Sequence, residues 1–440
     1  MSKFNLYNCK TKIWSAPQKA SIFNPNASLG DILLHGLENT SDKLSEIYTK
    51  NNVTLKSKDV LEYSIRVAEN LKKLNLKPGD VVTFSCRNIS NLTSLFCGCI
   101  FARLVVNPVN PDNETQKFKE IIQKTRPKLI FCQNFNKPYI KEALEELCHI
   151  SNIINLDNEL SIQPLFQSIS LDINTHSYTS AVIENTEITP ALILTTAGST
   201  GITKCVSLSH AMVISQMIRS IAINQDDTLI LSHSIHLFSM ICNLVSGVAV
   251  GAVRIISELT FNAEIYLKLI EKYRVTKLFI SPTHLSSIAD TRDFKSSDLS
   301  AIKLIQTGGD ALMKTLKENV ENQLLNGKVV QSYGLLEIGG TATINYPISK
   351  EYSVGRPVNQ NQFKIIDDTG NKLGPDEEGE ICIKPVYYFI GYSSDEQLNK
   401  ETIDSDGWIH TGDIGYFDND NFLFIVGRTK DVIQYKGFEI

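Results

Sequence analysis

The segment Leu192 to His210, LILTTAGSTGITKCVSLSH, gathers Thr195, Thr196, Gly198, Ser199, Thr200, Gly201 and Lys204 into one short stretch. Glycines let backbone N–H groups approach oxygen atoms closely, hydroxyls donate hydrogen bonds, and an ammonium neutralises charge. The chemistry that fits is the wrapping of a polyphosphate. The spacing is GxxGxxK, and Cys205 stands where the Ser or Thr of a Walker loop would hold magnesium, so this is a different kind of phosphate loop. Taken alone, the segment also reads as a Ser/Thr-rich surface turn.

Two later clusters carry complementary chemistry. In Gln331 to Glu337, QSYGLLE, the Tyr333 ring is able to stack on a purine and the Glu337 carboxylate to hold a metal. In GWIHTGD, Asp413 is a carboxylate suited to the two hydroxyls of a ribose. Each has a plainer reading: Tyr333 as a core aromatic, Glu337 as a solvated helix residue, and Asp413 with Arg428 as a surface ion pair.

These residues need a scaffold, and the first half of the chain alternates helical and strand patterns as layered α/β domains do. Val60 to Leu74 has apolar residues at helical spacing and stops at Lys77-Pro78-Gly79-Asp80, before the strand Val81 to Phe84. Leu92 to Leu104 and Gln116 to Lys124 read as further helices, each followed by a β run. Short β runs at Thr228 to Leu231, Val253 to Ile256, Lys277 to Ile280 and Ala301 to Gln306 continue the pattern. From about Val354 the strands become short and closely spaced, which suggests a small antiparallel, barrel-like subdomain. The fold class expected is α/β, with two doubly wound sheets, intervening helices and that β subdomain. The divisions expected are 1–190, 191–352 with the phosphate loop, 353–427, and a hinge segment 428–440.

Composition narrows the partners. A net charge of -5 gives no general attraction for nucleic acid or an anionic membrane. The apolar stretch Ile241 to Ile256 is too short to span a bilayer, so no membrane span is expected. Nine cysteines without paired CxxC spacing fit reduced thiols packed as small hydrophobes, hence a reducing compartment. The expected partner is a small molecule.

With GGDAL at Gly308 to Leu312, SVGRP at Ser353 to Pro357, EEGEICI at Glu377 to Ile383 and the terminal GRTKD, the ordered series resembles the adenylate-forming superfamily. Its members include acyl-CoA synthetases, beetle luciferases and 4-coumarate:CoA ligases, and HLFSM and YKGF look closest to the luciferase and coumarate-ligase branch. The resemblance implies ATP-dependent activation of a carboxylic acid as an acyl-adenylate, with Mg2+, and thioester formation with coenzyme A in the full-length protein. It implies phosphate binding by the Thr195 to Lys204 loop. Adenine would lie against Tyr333, Gly334 and the backbone of Gly308, Gly309 and Asp310. Asp413 and Arg428 would take the ribose, and Glu337 the magnesium. The acyl pocket would use His236, Phe238, Ser239, Met240, Gly339 and Gly340, with His236 at its entrance; His236 equally reads as a core histidine. A lipophilic or aromatic acid is expected, in a cytoplasmic or peroxisomal enzyme.

Departures from the pattern set the alternative. Leu336 stands where threonine is usual and has no hydrogen to donate to a phosphate, so a catalytically weakened nucleotide or acyl-adenylate binding protein is the second reading. Thr203 and Cys205 replace proline and glycine in the loop, while Gln434 and Glu439 replace lysine and glutamine near the end. The closing GRTKDVIQYKGFEI resembles a hinge, with Lys430 at its pivot, that normally joins a further C-terminal domain. The resemblance therefore implies a chain that binds nucleotide better than it turns it over.

Overall fold

Asp80 closes the turn after the first long helix: Lys77 N–H donates to Asp80 Oδ2 at 2.7 Å, Asp80 N–H returns to the Lys77 carbonyl at 2.9 Å, and Gly79 takes φ +87°. The helix itself spans Ser57–Lys72 and buries Val60, Leu61, Ile65, Ala68 and Leu71 on one face. The strand it feeds, Val81–Phe84, lies at the centre of the first sheet. This is a computed structural model, and it describes residues 6–16, 26–167, 178–180, 182–197, 203–220, 223–347, 349–429, 434–435 and 438–439.

The first sheet has six strands in the order Thr203–Ser209, Pro190–Ala197, Val105–Pro108, Val81–Phe84, Leu129–Cys132 and Asn152–Asn155. All pairings are parallel except the outermost, where Thr203–Ser209 runs back against Pro190–Ala197 with Lys204 opposite Thr196. The glycine-rich segment therefore joins two antiparallel strands. The helix Leu92–Phe101 is buried on every side. It ends three residues before the expected Leu104, because Arg103 turns left-handed at φ 61° and Leu104 N–H caps the Cys99 carbonyl at 2.9 Å.

The second sheet is built from a four-stranded and a five-stranded part. Thr276 joins them: its N–H donates to the Thr228 carbonyl at 2.9 Å, and Thr228 N–H donates to its hydroxyl at 3.0 Å. Strands Thr228–Leu231, Lys277–Ile280, Leu304–Thr307 and Lys328–Leu335 thus lie side by side with their carboxyl ends on one rim. In α/β sheets that rim is where ligands bind.

The third sheet is antiparallel, as the close strand spacing after Val354 predicts, and has six strands. Two of them, Tyr7–Asn8 and Ile13–Ser15, come from the N-terminus, with Trp14 opposite Phe363 and stacked on Phe417 at 4.7 Å. Likewise Leu44–Tyr48 pairs in parallel with Val253–Ile256 of the second sheet. Both segments fall inside the 1–190 unit expected from sequence, but their edges are claimed by strands hundreds of residues away. In the second pairing Arg254 sits opposite Glu46 in the register, and both side chains are buried.

Candidate active site

Strand Lys328–Leu335 carries Tyr333, and strand Ile409–Phe417 carries Asp413 opposite Arg428 of strand Leu423–Arg428. The Tyr333 hydroxyl donates to Asp413 Oδ2 at 2.6 Å, and Arg428 Nε donates to Oδ1 at 2.9 Å. The second and third sheets therefore meet on one carboxylate, which is 4% exposed while the Arg428 side chain is 58% exposed. Burial, and then the Asp413 charge, raise the Tyr333 phenol well above its usual value, so it stays protonated and donates. A carboxylate offers about four lone-pair sites, which leaves Asp413 capacity for two further hydroxyl donors. Its position is braced from below: Gly412 N–H donates to Glu380 Oε1 at 3.1 Å, and Glu380 Oε2 holds His410 Nδ1 at 2.9 Å. That bond raises the His410 pKa.

A second hydrogen-bonded chain forms at the glycine-rich hairpin. Its return strand Thr203–Ser209 is joined by residues 391–393: Ser207 N–H donates to the Gly391 carbonyl at 3.0 Å, and Ser393 N–H to the Cys205 carbonyl at 2.8 Å. This pairing lays Tyr392 beside Lys204, whose Nζ is 5.1 Å from the ring centroid and 3.5 Å from the hydroxyl. The same hydroxyl donates to Glu337 Oε1 at 2.7 Å. Burial raises the Tyr392 phenol, so it too remains a donor. The base of the hairpin is tied down by Thr203, whose hydroxyl donates to Glu120 Oε2 at 2.5 Å, and by Lys124, which bonds the Thr203 carbonyl at 2.9 Å and Asp395 at 3.1 Å. Glu337 is a hard oxygen donor with a lysine close by, a set whose chemistry would fit Mg2+.

Along the strand rim opens a cavity of about 350 Å3 whose lining includes Ser332, Gly334, Leu335 and Leu336, the sequence neighbours of Tyr333 and Glu337, but none of the six residues of the two chains. Leu237, Phe238, Met240, Phe279, Leu335 and Leu336 give it an apolar wall, and Gly308, Gly309, Gly334 and Gly340 bring backbone to its edge. Gly334 is required there, since a Cβ would stand 2.2 Å from the Gly340 carbonyl oxygen. Size and lining suit a small organic ligand with most of its surface covered.

Of the residues expected in the acyl pocket, Phe238, Ser239, Met240 and Gly340 line the cavity. His236 and Gly339 are not among its lining residues. His236 Nδ1 is buried without a partner, and burial pushes the imidazole down to about 4. The imidazoles that do line the cavity are His233 and His284. Thr195 and Thr196 end the outgoing strand of the hairpin, and Asp310 is exposed, with Oδ1 accepting from Ala311 N–H at 2.7 Å. Gly198, Ser199, Thr200, Gly201 and Lys430 lie outside the described residues.

Three residues escaped the sequence reading. Tyr392 follows Gly391 between a strand and the helix Glu396–Thr402, a position a Gly-Tyr pair marks only weakly. His284 was more accessible: Ser281-Pro282 is a helix-start signal, Ser281 Oγ accepts from His284 N–H at 3.2 Å, and the strand before it must end at the rim. His233 follows the strand Thr228–Leu231 in the same way.

Comparison with known proteins supplies what geometry alone does not. Residues 36–393 match a family described as AMP-binding enzyme. The chain is 28% identical to 4-coumarate--CoA ligase 1 of Arabidopsis thaliana, over 95% of this chain and 78% of that protein. It is 27% identical to luciferin 4-monooxygenase of Luciola mingrelica, over 93% and 78%. The crystal structure of the anthranilate CoA ligase AuaEII in complex with anthranoyl-AMP superposes with a TM-score of 0.84 at 18% identity, covering 96% of this chain and 81% of that one. At that identity the likeness is one of fold. Lys204, Tyr333, Glu337 and Tyr392 fall inside the matched region, whereas Asp413 and Arg428 lie beyond it.

Proposed function

The chain belongs to the AMP-binding enzyme family, and from that premise we propose that it activates a carboxylic acid with ATP to an acyl-adenylate, releases pyrophosphate, and passes the acyl group to the thiol of coenzyme A. The observation that carries this reading is that two hydrogen-bonded chains, Tyr333–Asp413–Arg428 and Lys204–Tyr392–Glu337, are anchored on strand Lys328–Leu335 and the turn after it, whose Ser332, Gly334, Leu335 and Leu336 line an apolar-walled cavity. Asp413 takes the ribose hydroxyls, and Tyr333 positions it beside the purine. Lys204, held against the Tyr392 ring, reaches the β- and γ-phosphates. Glu337 would hold Mg2+, which when bound would neutralise phosphate charge. Attack of the carboxylate at the α-phosphorus is then mainly a matter of positioning and charge compensation.

The acid we propose is lipophilic or aromatic, because the cavity wall is built from Leu, Phe, Met and Ile and holds no lysine or arginine among its lining residues. No helix among the described residues is long and apolar enough to cross a membrane. Nine free thiols support a reducing compartment, cytoplasmic or peroxisomal. Pyrophosphate release measured with ATP, Mg2+ and a panel of fatty and aromatic acids tests the reading. Acid-dependent release is expected, and measurable ATP binding with no release for any acid would overturn it.

Leu336 favours the second reading, a binding protein with weakened catalysis. Its side chain lines the cavity and has no hydrogen to donate. A missing transition-state donor typically costs about 10²–10³ in rate, so Leu336→Thr is expected to raise adenylation by up to that factor. An unchanged rate in a folded Leu336→Thr protein would show that no donor is needed at this position.

A further inference from the structure

Two imidazoles and two serine hydroxyls lie together in the lining of a mostly apolar cavity. Ser232 Oγ and His233 Nδ1 are 2.8 Å apart, and Ser281 Oγ and His284 Nδ1 are 3.0 Å apart. All four residues line the cavity. The rings are fixed by one another and by Phe261: His233 stacks on Phe261 at 4.9 Å, His233 and His284 lie 4.6 Å apart, and His284 and Phe261 4.5 Å apart. With each Nδ1 held by a serine, each Nε2 is left for another partner. Neither Nε2 has one among the described residues, and neither is sealed from solvent as His236 Nδ1 is.

Their place along the rim gives them a role. His233 and His284 follow the strands Thr228–Leu231 and Lys277–Ile280, whereas Tyr333 lies on Lys328–Leu335, with Leu304–Thr307 between. Neighbouring strands are about 4.8 Å apart, so the two imidazoles stand about 10–14 Å from the adenylate end. A ligand activated at the Tyr333 end therefore presents its far end to them.

Resting on the ligase reading above, we propose that the acid carries an uncharged hydrogen-bonding group, a hydroxyl or its like, at the end remote from the carboxylate, and that His233 and His284 select for it through Nε2. A neutral imidazole either donates or accepts at Nε2 according to its tautomer, so the pair meets a group that does both. Burial, then His284 and His236, push His233 down to about 4, and burial lowers His284 as well. Both rings are uncharged at neutral pH and offer no cation to a second carboxylate. A purely apolar tail would strip water from both nitrogens and return nothing, the circumstance in which polar pockets discriminate most strongly.

The test is pyrophosphate release with straight-chain acids of graded length, each in ω-methyl, ω-hydroxy and ω-carboxy form. At the best length, the ω-hydroxy acid is expected to exceed both others in kcat/KM by at least about tenfold. His284→Leu should lower the ratio of ω-hydroxy to ω-methyl by about tenfold, and His284→Asn, which keeps a polar group, should restore part of it. Equal use of ω-hydroxy and ω-methyl acids, or preference for the ω-carboxy form, overturns the inference while leaving the ligase reading intact. A ratio unmoved in both variants does the same. Release neither with these acids nor with the aromatic acids of the wider panel sinks the ligase reading and this inference with it.

Discussion

Asp413→Ala is expected to lower acyl-adenylate formation by about 100-fold or more. The carboxylate is the one group that Tyr333 and Arg428 share, and in the proposed reading it takes both ribose hydroxyls. A hydrogen bond to a charged acceptor is worth about 1.5–3 kcal/mol, and losing two at once reaches that factor. The loss should fall on the KM for ATP as well as on kcat, since the ribose is held in ground state and transition state alike. Arg428→Leu should cost far less, because the guanidinium is more than half exposed and its pairing is screened by water. Steady-state kinetics of the two variants side by side checks both statements; equal losses would mean that Asp413 acts only through its ion pair.

Glu46→Gln is expected to destabilise the fold by about 3–5 kcal/mol, the usual result of leaving one member of a buried ion pair uncompensated. Arg254 and Glu46 are both fully buried, with Arg254 Nη2 3.1 Å from Glu46 Oε1 and 2.7 Å from Ser45 Oγ. Tyr48 donates to the other Glu46 oxygen at 2.6 Å, and burial, with Glu46 next, raises its phenol well above the usual value. Removing the charge leaves the guanidinium with neutral partners and one nitrogen, Nε, that has none. Urea denaturation of Glu46→Gln, with Glu46→Leu/Arg254→Met as its companion, separates pairing from packing. The double variant should recover most of the loss, because apolar replacement of a buried pair is often neutral or stabilising.

What was legible in the sequence follows from how local each signal is. The helix Ser57–Lys72 and its stop were readable because periodicity, Pro and Gly act within a few residues. The strands Thr228–Leu231, Val253–Ile256 and Lys277–Ile280 were readable for the same reason. The pairing of Trp14 with Phe363 was not, since it depends on which sheet edge is open. Tyr333, Glu337, Asp413 and Lys204 stood out by residue type and order, and the fold links Tyr333 to Asp413 directly and Lys204 to Glu337 through Tyr392. Their bridge, Tyr392, was invisible because its role comes from an added β pairing rather than from any motif. At His236 the motif left two readings open, pocket entrance and core histidine; its Nδ1 lies buried, while His233, three residues earlier, lines the cavity.

In the proposed reading, one continuous site holds adenylate and acid together. Calorimetric binding of a non-hydrolysable acyl-adenylate analogue, compared with AMP and with the free acid, tests it most directly. The account predicts that the joined molecule binds at least about 100-fold more tightly than either part, because a single rigid cavity gains from linkage, and that Asp413→Ala removes much of that gain. An analogue that binds no better than AMP alone would contradict it.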